Sequence, residues 1–243
     1  TPVPQLAAAL PAAGDTSVTP GLADLQVQFS GALDAAAVKP ENAEVQASGQ
    51  TLTLTGLRYE GQILHLELAQ PLQAGTSYQV RLGAALGGPL RQDEGDYTWS
   101  FSTRIPAVER TLPPAGSAIP AGRRRLQVVF SSPLDTAQIT PQNFRLSRGG
   151  DELPLERSEF QYDPATRTLS FPFVDFVAGS AYQAVISSRV RGPLGADQPD
   201  VQWPFSTEVP TVVTTVPATG AEGVSTALPT LQVAFSGSVA RRD

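Results

Sequence analysis

The chain has 243 residues, 41% of them hydrophobic, and a net charge of −6, so it can bury a core but lacks the clustered cations of a phosphate-binding surface. It has no cysteine and one histidine, which excludes a disulfide framework, a thiolate nucleophile, a Cys-ligated zinc site and a His-based metal cluster. No apolar run approaches the ~20 residues that span a bilayer as a helix, and 21 glycines and 22 prolines fall between short apolar runs, which is the distribution of an all-β protein with many turns.

The opening Thr1-Pro2-Val3-Pro4 has no Met and reads as the start of a processed chain or of a segment cut from a longer one. Strands are expected near 5–10, 24–30, 42–47, 51–58, 62–69, 76–83 and 96–103. The second sets the pattern: LQVQFS at 25–30 alternates Leu25, Val27 and Phe29 with Gln26, Gln28 and Ser30, the period of a half-buried strand. In the fifth, Leu64, Leu66 and Leu68 take the inward parity and leave His65 and Glu67 outside. In the last, Tyr97, Trp99 and Phe101 share one face. Asp34 stands where an N-cap would open one helical turn closing on Val38. Just before the last strand, Asp93, Glu94 and Asp96 flank Gly95. Calcium, which gathers carboxylate and carbonyl oxygens, is the metal such a loop could take. The competing reading is a solvated loop, and no EF-hand spacing is present.

The order then returns, with strands near 106–112, 124–131, 143–148, 152–161, 167–174, 180–188 and 199–206. The expected core faces are Leu126/Val128/Phe130, Leu169/Phe171/Phe173 and Val201/Trp203/Phe205. Pro172 and Pro204 take the outward parity and, having no N–H for the ladder, should mark an edge, a bulge or a strand end. Asp135 repeats the capping position of Asp34 ahead of Ile139. Arg123-Arg124-Arg125 is the only dense basic run, and a solvated strand end is expected there. Tyr162-Asp163-Pro164-Ala165 reads as a tight turn. Trp99 and Trp203 sit on the core parity and so make no sugar platform, whereas parity leaves the burial of Tyr162 and Phe176 open.

A third copy supplies PATG at 217–220 and LQVAFS at 231–236. Other echoes tie the first two copies: GTSYQV at 75–80 with GSAYQA at 179–184, GGPL at 87–90 with RGPL at 191–194, and WSFST at 99–103 with WPFST at 203–207. Phe29, Phe130 and Phe235 recur at a period of roughly 100 residues, with about seven short strands in each complete copy, the size of an immunoglobulin-like sandwich. Tyr78 and Tyr182 each stand three residues past Ala-Gly, where such folds bond a tyrosine hydroxyl back to the upstream backbone. Val80 and Ala184 occupy the position of the second core cysteine. The expected domains are 1–104, 105–208 and 209–243, laid end to end through short, proline-stiffened passages. Two strands cannot bury Leu231, Val233 and Phe235 unaided. Segment 209–243 is therefore expected to be completed by further strands of a longer chain or by strand complementation from another protein.

The series P-x-x-G, L-x-V-x-F-S-x-x-L-D, x-P-x-N, A-G-x-x-Y-x-V and W-x-F-S-T resembles the bacterial Ig-like domains of S-layer proteins, surface adhesins and modular secreted proteins. The resemblance implies an all-β fold of tandem immunoglobulin-like antiparallel β-sandwiches without disulfides. It implies an extracytoplasmic protein, at the cell surface or envelope or secreted, that spaces, stacks or anchors parts of a larger assembly. The partners expected are other envelope or surface proteins, or further domains of the same chain, and not nucleic acid. The runner-up is an accessory glycan- or calcium-binding region of a secreted enzyme or adhesin. Catalytic and cofactor residues are not expected: His65 lies mid-strand on the outward parity, and no Gly-x-Ser-x-Gly elbow is present. The third copy departs from the pattern at Ala240, which stands where Asp34 and Asp135 stood.

Overall fold

The computed structural model describes residues 3–156, 159–227, 230–237 and 239; Ala240 lies outside the described residues. The chain gathers into two compact units.

The first repeat contains β1 (Leu6–Leu10), β2 (Asp24–Phe29), β3 (Ala43–Ala47), β4 (Gln50–Thr51), β5 (Leu54–Glu60), β6 (Ile63–Leu68), β7 (Ser77–Leu82) and β8 (Tyr97–Ser102). They form two four-stranded sheets, ordered β1-β2-β6-β5 and β4-β3-β7-β8. Leu25 faces Leu66 and Val27 faces Leu64 in one sheet, and Val80 pairs with both Val45 and Trp99 in the other. All of these side chains are buried. Each such aliphatic side chain contributes roughly 1.5–3 kcal/mol by leaving water, and alternation sends every second residue to this shared core.

The run expected as one strand over 51–58 is two. β4 pairs with β3, and β5 pairs with β6 in the opposite sheet. Around the crossing, the Leu52 N–H donates to the Val45 carbonyl and the Ala69 N–H to that of Thr53. The chain thus changes sheets within one apolar run. Repeat two does the same: the stretch expected over 152–161 ends as Asp151–Leu153 in one sheet and Gln161–Asp163 in the other.

The second repeat contains β9 (Val108–Leu112), β10 (Ala118–Ile119), β11 (Gly122–Phe130), β12 (Phe144–Arg148), β13 (Asp151–Leu153), β14 (Gln161–Asp163), β15 (Thr168–Phe176), β16 (Ala181–Ile186) and β17 (Val201–Thr207). Its sheets are β14-β15-β11-β9 and β10-β17-β16-β12-β13. Position for position this is the order of the first repeat, with β10 added. β10 runs parallel to β17, pairing Ala118 with Ser206 and Ile119 with Thr207. A Val18–Thr103 bridge, also parallel, marks the same place in the first repeat. These two short contacts depart from the otherwise antiparallel ladders.

Phe173 is not a core residue. Between the Arg125–Phe173 and Gln127–Ser170 pairs the register shifts, so Phe171 and Pro172 together oppose Leu126. Such a bulge reverses the parity of everything beyond it. Phe171 and Pro172 are buried, whereas Phe173 is 49% exposed with the Arg125 guanidinium 4.6 Å from its ring centroid. Proline fits the bulge because it has no ladder donor to lose. Beyond it, Phe176 is buried between Tyr182, 4.9 Å away, and Phe205, 5.5 Å away. Arg123, Arg124 and Arg125 open β11 directly after Gly122, and Arg123 and Arg124 are exposed, as a solvated strand end would be. They pair with Asp175, Val174 and Phe173 of β15.

In the third copy β18 (Val212–Val216) pairs antiparallel with β19 (Gln232–Phe235). Leu231 is 80% exposed, Val233 50% and Phe235 43%. Their counterparts Leu126, Val128 and Phe130 are fully buried.

Candidate functional site

The acidic loop before β8 is built on two short 3-10 turns, Ala84–Gly87 and Pro89–Glu94. Asp96 accepts the Ala84 N–H at 2.8 Å on one oxygen and the Arg81 guanidinium at 2.6 Å on the other. The Ala84 bond first, then Arg81, holds its carboxyl below the usual aspartate range. Glu94 pairs with Arg91, whose guanidinium lies 4.0 Å over the Tyr97 ring, and Asp93 is exposed. Among the described residues no group of three or more His, Cys, Asp or Glu side chains stands together as a metal site would require. Asp93, Glu94 and Asp96 are therefore not brought together: arginine and backbone donors take up two of the three.

His65 lies on the outward face of β6, opposite Gln26. Its Nδ1 is 2.9 Å from Asp24 Oδ2, which also accepts the Gln26 side-chain amide at 3.1 Å. Nearby on the same sheet Arg58 meets Glu60 at 2.6 Å and Glu67 at 3.6 Å. On the outward face of this sheet these side chains are engaged with one another.

The residues read as structural take the positions expected of them. Asp34 Oδ1 accepts the Ala36 N–H at 2.9 Å and opens the turn Ala35–Ala37; Asp135 accepts the Ala137 N–H at 2.9 Å ahead of Thr136–Gln138. The Tyr78 hydroxyl accepts the Gln73 N–H, and the Tyr182 hydroxyl accepts that of Val177. Both corners reach five residues upstream, with Val80 and Ala184 buried beside them.

One concave feature escaped the sequence. The outward face of β9, β11, β15 and β14 forms a trough of about 840 Å³. Its floor is Gln127 and Val129 of β11 with Thr168 and Ser170 of β15. Gln127 donates its side-chain amide to the Ser170 hydroxyl at 3.2 Å. Gln161 and Asp163 of β14 line one side, while Tyr162 between them pairs with buried Leu169 and shares its inward face.

Residues 1–103 match the family described as bacterial Ig-like domain. No curated protein matches the chain. Among solved structures, the N-terminal part of the bacterial S-layer protein SbsC is 11% identical with a TM-score of 0.31, the match covering 84% of this chain and 44% of that one. CopC from Methylosinus trichosporium OB3b is 17% identical with a TM-score of 0.29, over 42% of this chain and 93% of CopC. A titin structure is 15% identical with a TM-score of 0.30, over 85% of this chain and 98% of that one. The chain spans under half the length of the S-layer structure it matches. The first repeat thus matches the bacterial Ig-like domain family, and the second carries the same motifs on the same strand order.

Proposed function

We propose that the chain is a non-catalytic structural and interaction module of the bacterial cell surface or envelope. It spaces or anchors parts of a larger assembly such as an S-layer or a surface appendage. The domains proposed are 1–104, 105–208 and 209–243. The observation that carries this reading is the third copy, where Leu231, Val233 and Phe235 stay exposed on a two-stranded ribbon. In both complete repeats the corresponding strand is covered by a neighbour, β2 by β6 and β11 by β15. A ribbon of this kind is marginal by itself in water, and its open edge offers unpaired backbone groups to an incoming strand. Strands from a further Ig-like domain, or from an envelope partner, would supply what β6 and β15 supply. Localisation tests the reading directly: an antibody against this chain should label intact source cells and follow the envelope fraction. Recovery in the cytoplasmic fraction alone defeats it.

A further inference from the structure

We propose that the arginine-rimmed pocket beside the Gly122 end of β11 takes an extended, acidic protein segment, which adds as a strand and seats one apolar side chain. β11 and β15 are nine residues long, where their counterparts β2 and β6 have six. In the longer ladder Gly122, Arg123, Arg124 and Arg125 pair with Phe176, Asp175, Val174 and Phe173. The fold demands neither this extension nor its charge. The three residues ahead of the repeated Leu-Gln-Val are Leu22, Ala23 and Asp24 in the first copy and Arg123, Arg124 and Arg125 in the second. Asp24 lies opposite Glu67, and Arg125 opposite Phe173. The same place in the sandwich thus changes from two acids to a cation against an aromatic ring.

Three features select the partner. The first is a free strand edge. β9 has five residues and enters at the far end of β11, where the Ser131 N–H donates to the Ala107 carbonyl. The Gly122 end of β11 runs past it, with β15 on one side and, among the described residues, no strand on the other. An incoming strand satisfies the backbone groups of such an edge, which a lipid tail or a sugar does not. The second is an apolar pocket of about 380 Å³ against Arg124, Arg125 and Leu126 of that edge, within the roughly 300–1,000 Å³ of small-ligand sites. Leu112, Pro113, Ile119 and Pro120 wall it, and the buried Leu126 and Phe176 form its floor. The third is charge. The whole chain carries −6, yet here three guanidiniums stand against Asp175 as the one carboxylate paired along the extension. Arg125 is engaged by the Gln161 amide oxygen at 2.6 Å and the Glu159 carbonyl. Arg124 donates its Nε–H to the Pro120 carbonyl at 2.9 Å, which holds it at the pocket and leaves its terminal NH2 groups for a ligand. Arg123 is exposed, with its guanidinium 5.4 Å from the Phe173 ring centroid. Each of these two guanidiniums can grip a carboxylate through paired N–H groups. The site does not rest on the spacer reading or on the open ribbon of the third copy.

The test uses the whole 243-residue chain and a synthetic capped peptide with a central leucine flanked by three glutamates on each side. In amide-resolved NMR it should cause saturable shifts at Arg123, Arg124 and Leu126 and leave Leu25 and Gln26 of the first repeat unmoved. Exchanging its leucine for serine, or N-methylating its backbone nitrogens, should each weaken binding roughly tenfold, about 1.4 kcal/mol. Arg123→Glu combined with Arg124→Glu should weaken it at least as much at an unchanged melting temperature, and that variant should instead take the peptide with lysines in place of the glutamates. If the double exchange lowers the melting temperature, Arg124→Gln replaces it as the test. Absence of shifts with the glutamate peptide overturns the proposal. So does equal binding of the serine or the N-methylated peptide, or binding that survives loss of the arginine charge. Shifts at these amides with phosphatidylglycerol vesicles but not with the peptide would overturn it too, by making the patch a lipid contact.

Discussion

Tyr182 stacks on Phe205 with ring centroids 5.4 Å apart and planes 11° apart, while its hydroxyl accepts the Val177 N–H at 2.8 Å. Tyr78 and Phe101 repeat the pair at 5.3 Å and 19°. Each tyrosine thus joins two strands through its ring and fixes the chain entering its strand through its oxygen. Tyr182→Phe keeps the stacking and removes the acceptor. It should cost about 1 kcal/mol, the net worth of one hydrogen bond, seen as a lower urea midpoint for the second repeat. An unchanged midpoint would mean that the corner contributes nothing.

What could be read from the sequence, and what could not, follows from period two. Leu25, Val27 and Phe29 announce their side of the sheet, and so do Leu64, Leu66 and Leu68, because parity alone decides burial along a regular strand. Parity fails where the strand is irregular. Phe173 continues the alternation of Leu169 and Phe171 yet faces out, since Phe171 and Pro172 share one partner. The sheet crossing between Thr51 and Leu54 leaves no mark either, because the chain changes sheets without breaking its apolar run. The trough is silent for a third reason. Gln127, Thr168 and Ser170 are ordinary outward residues, and concavity is a property of four strands together.

Acid should weaken the first repeat through Asp96. The Ala84 N–H, then Arg81, depresses its carboxyl pKa in the fold, so the unfolded chain takes up the proton at higher pH than the folded one. The stabilisation is complete above the unfolded pKa and disappears as pH falls through the depressed folded value. Asp96→Asn should therefore be less stable than the parent at neutral pH and converge with it in strong acid. Thermal melts across that range test this, and a constant gap between the two curves would show that the charge is not what Ala84 and Arg81 hold.

Calcium should not matter to this loop. Asp96 is held by Arg81 and Ala84, and Glu94 by Arg91, so a cation would have to break these contacts before gathering its oxygens. Chelator is expected to leave the melting temperature of the first repeat where it was. A clear rise on adding calcium, by mass action on the folded state, would instead establish Asp93, Glu94 and Asp96 as ligands.

The third copy gives the sharpest contrast within one chain. β19 repeats the sequence pattern of β2 and β11, but Val233 is half exposed where Val27 and Val128 are fully buried. Among the described residues its ladder is formed with β18 alone, whereas β11 is held by β15 as well as by β9. Backbone hydrogen bonds open locally with a free energy set by the packing around them. Amides of β18 and β19 should therefore exchange far faster than those of β11. A synthetic peptide carrying the sequence of Ile63–Leu68, the strand that covers β2, should slow that exchange by pairing along the free edge of β19. The same peptide with Leu64 and Leu66 changed to Asp should have no effect, because it lacks the apolar face that Val233 and Phe235 require. Protection of β19 equal to that of β11 in the isolated chain would show that these two strands are already covered, and the strand-accepting reading of 209–243 would fall.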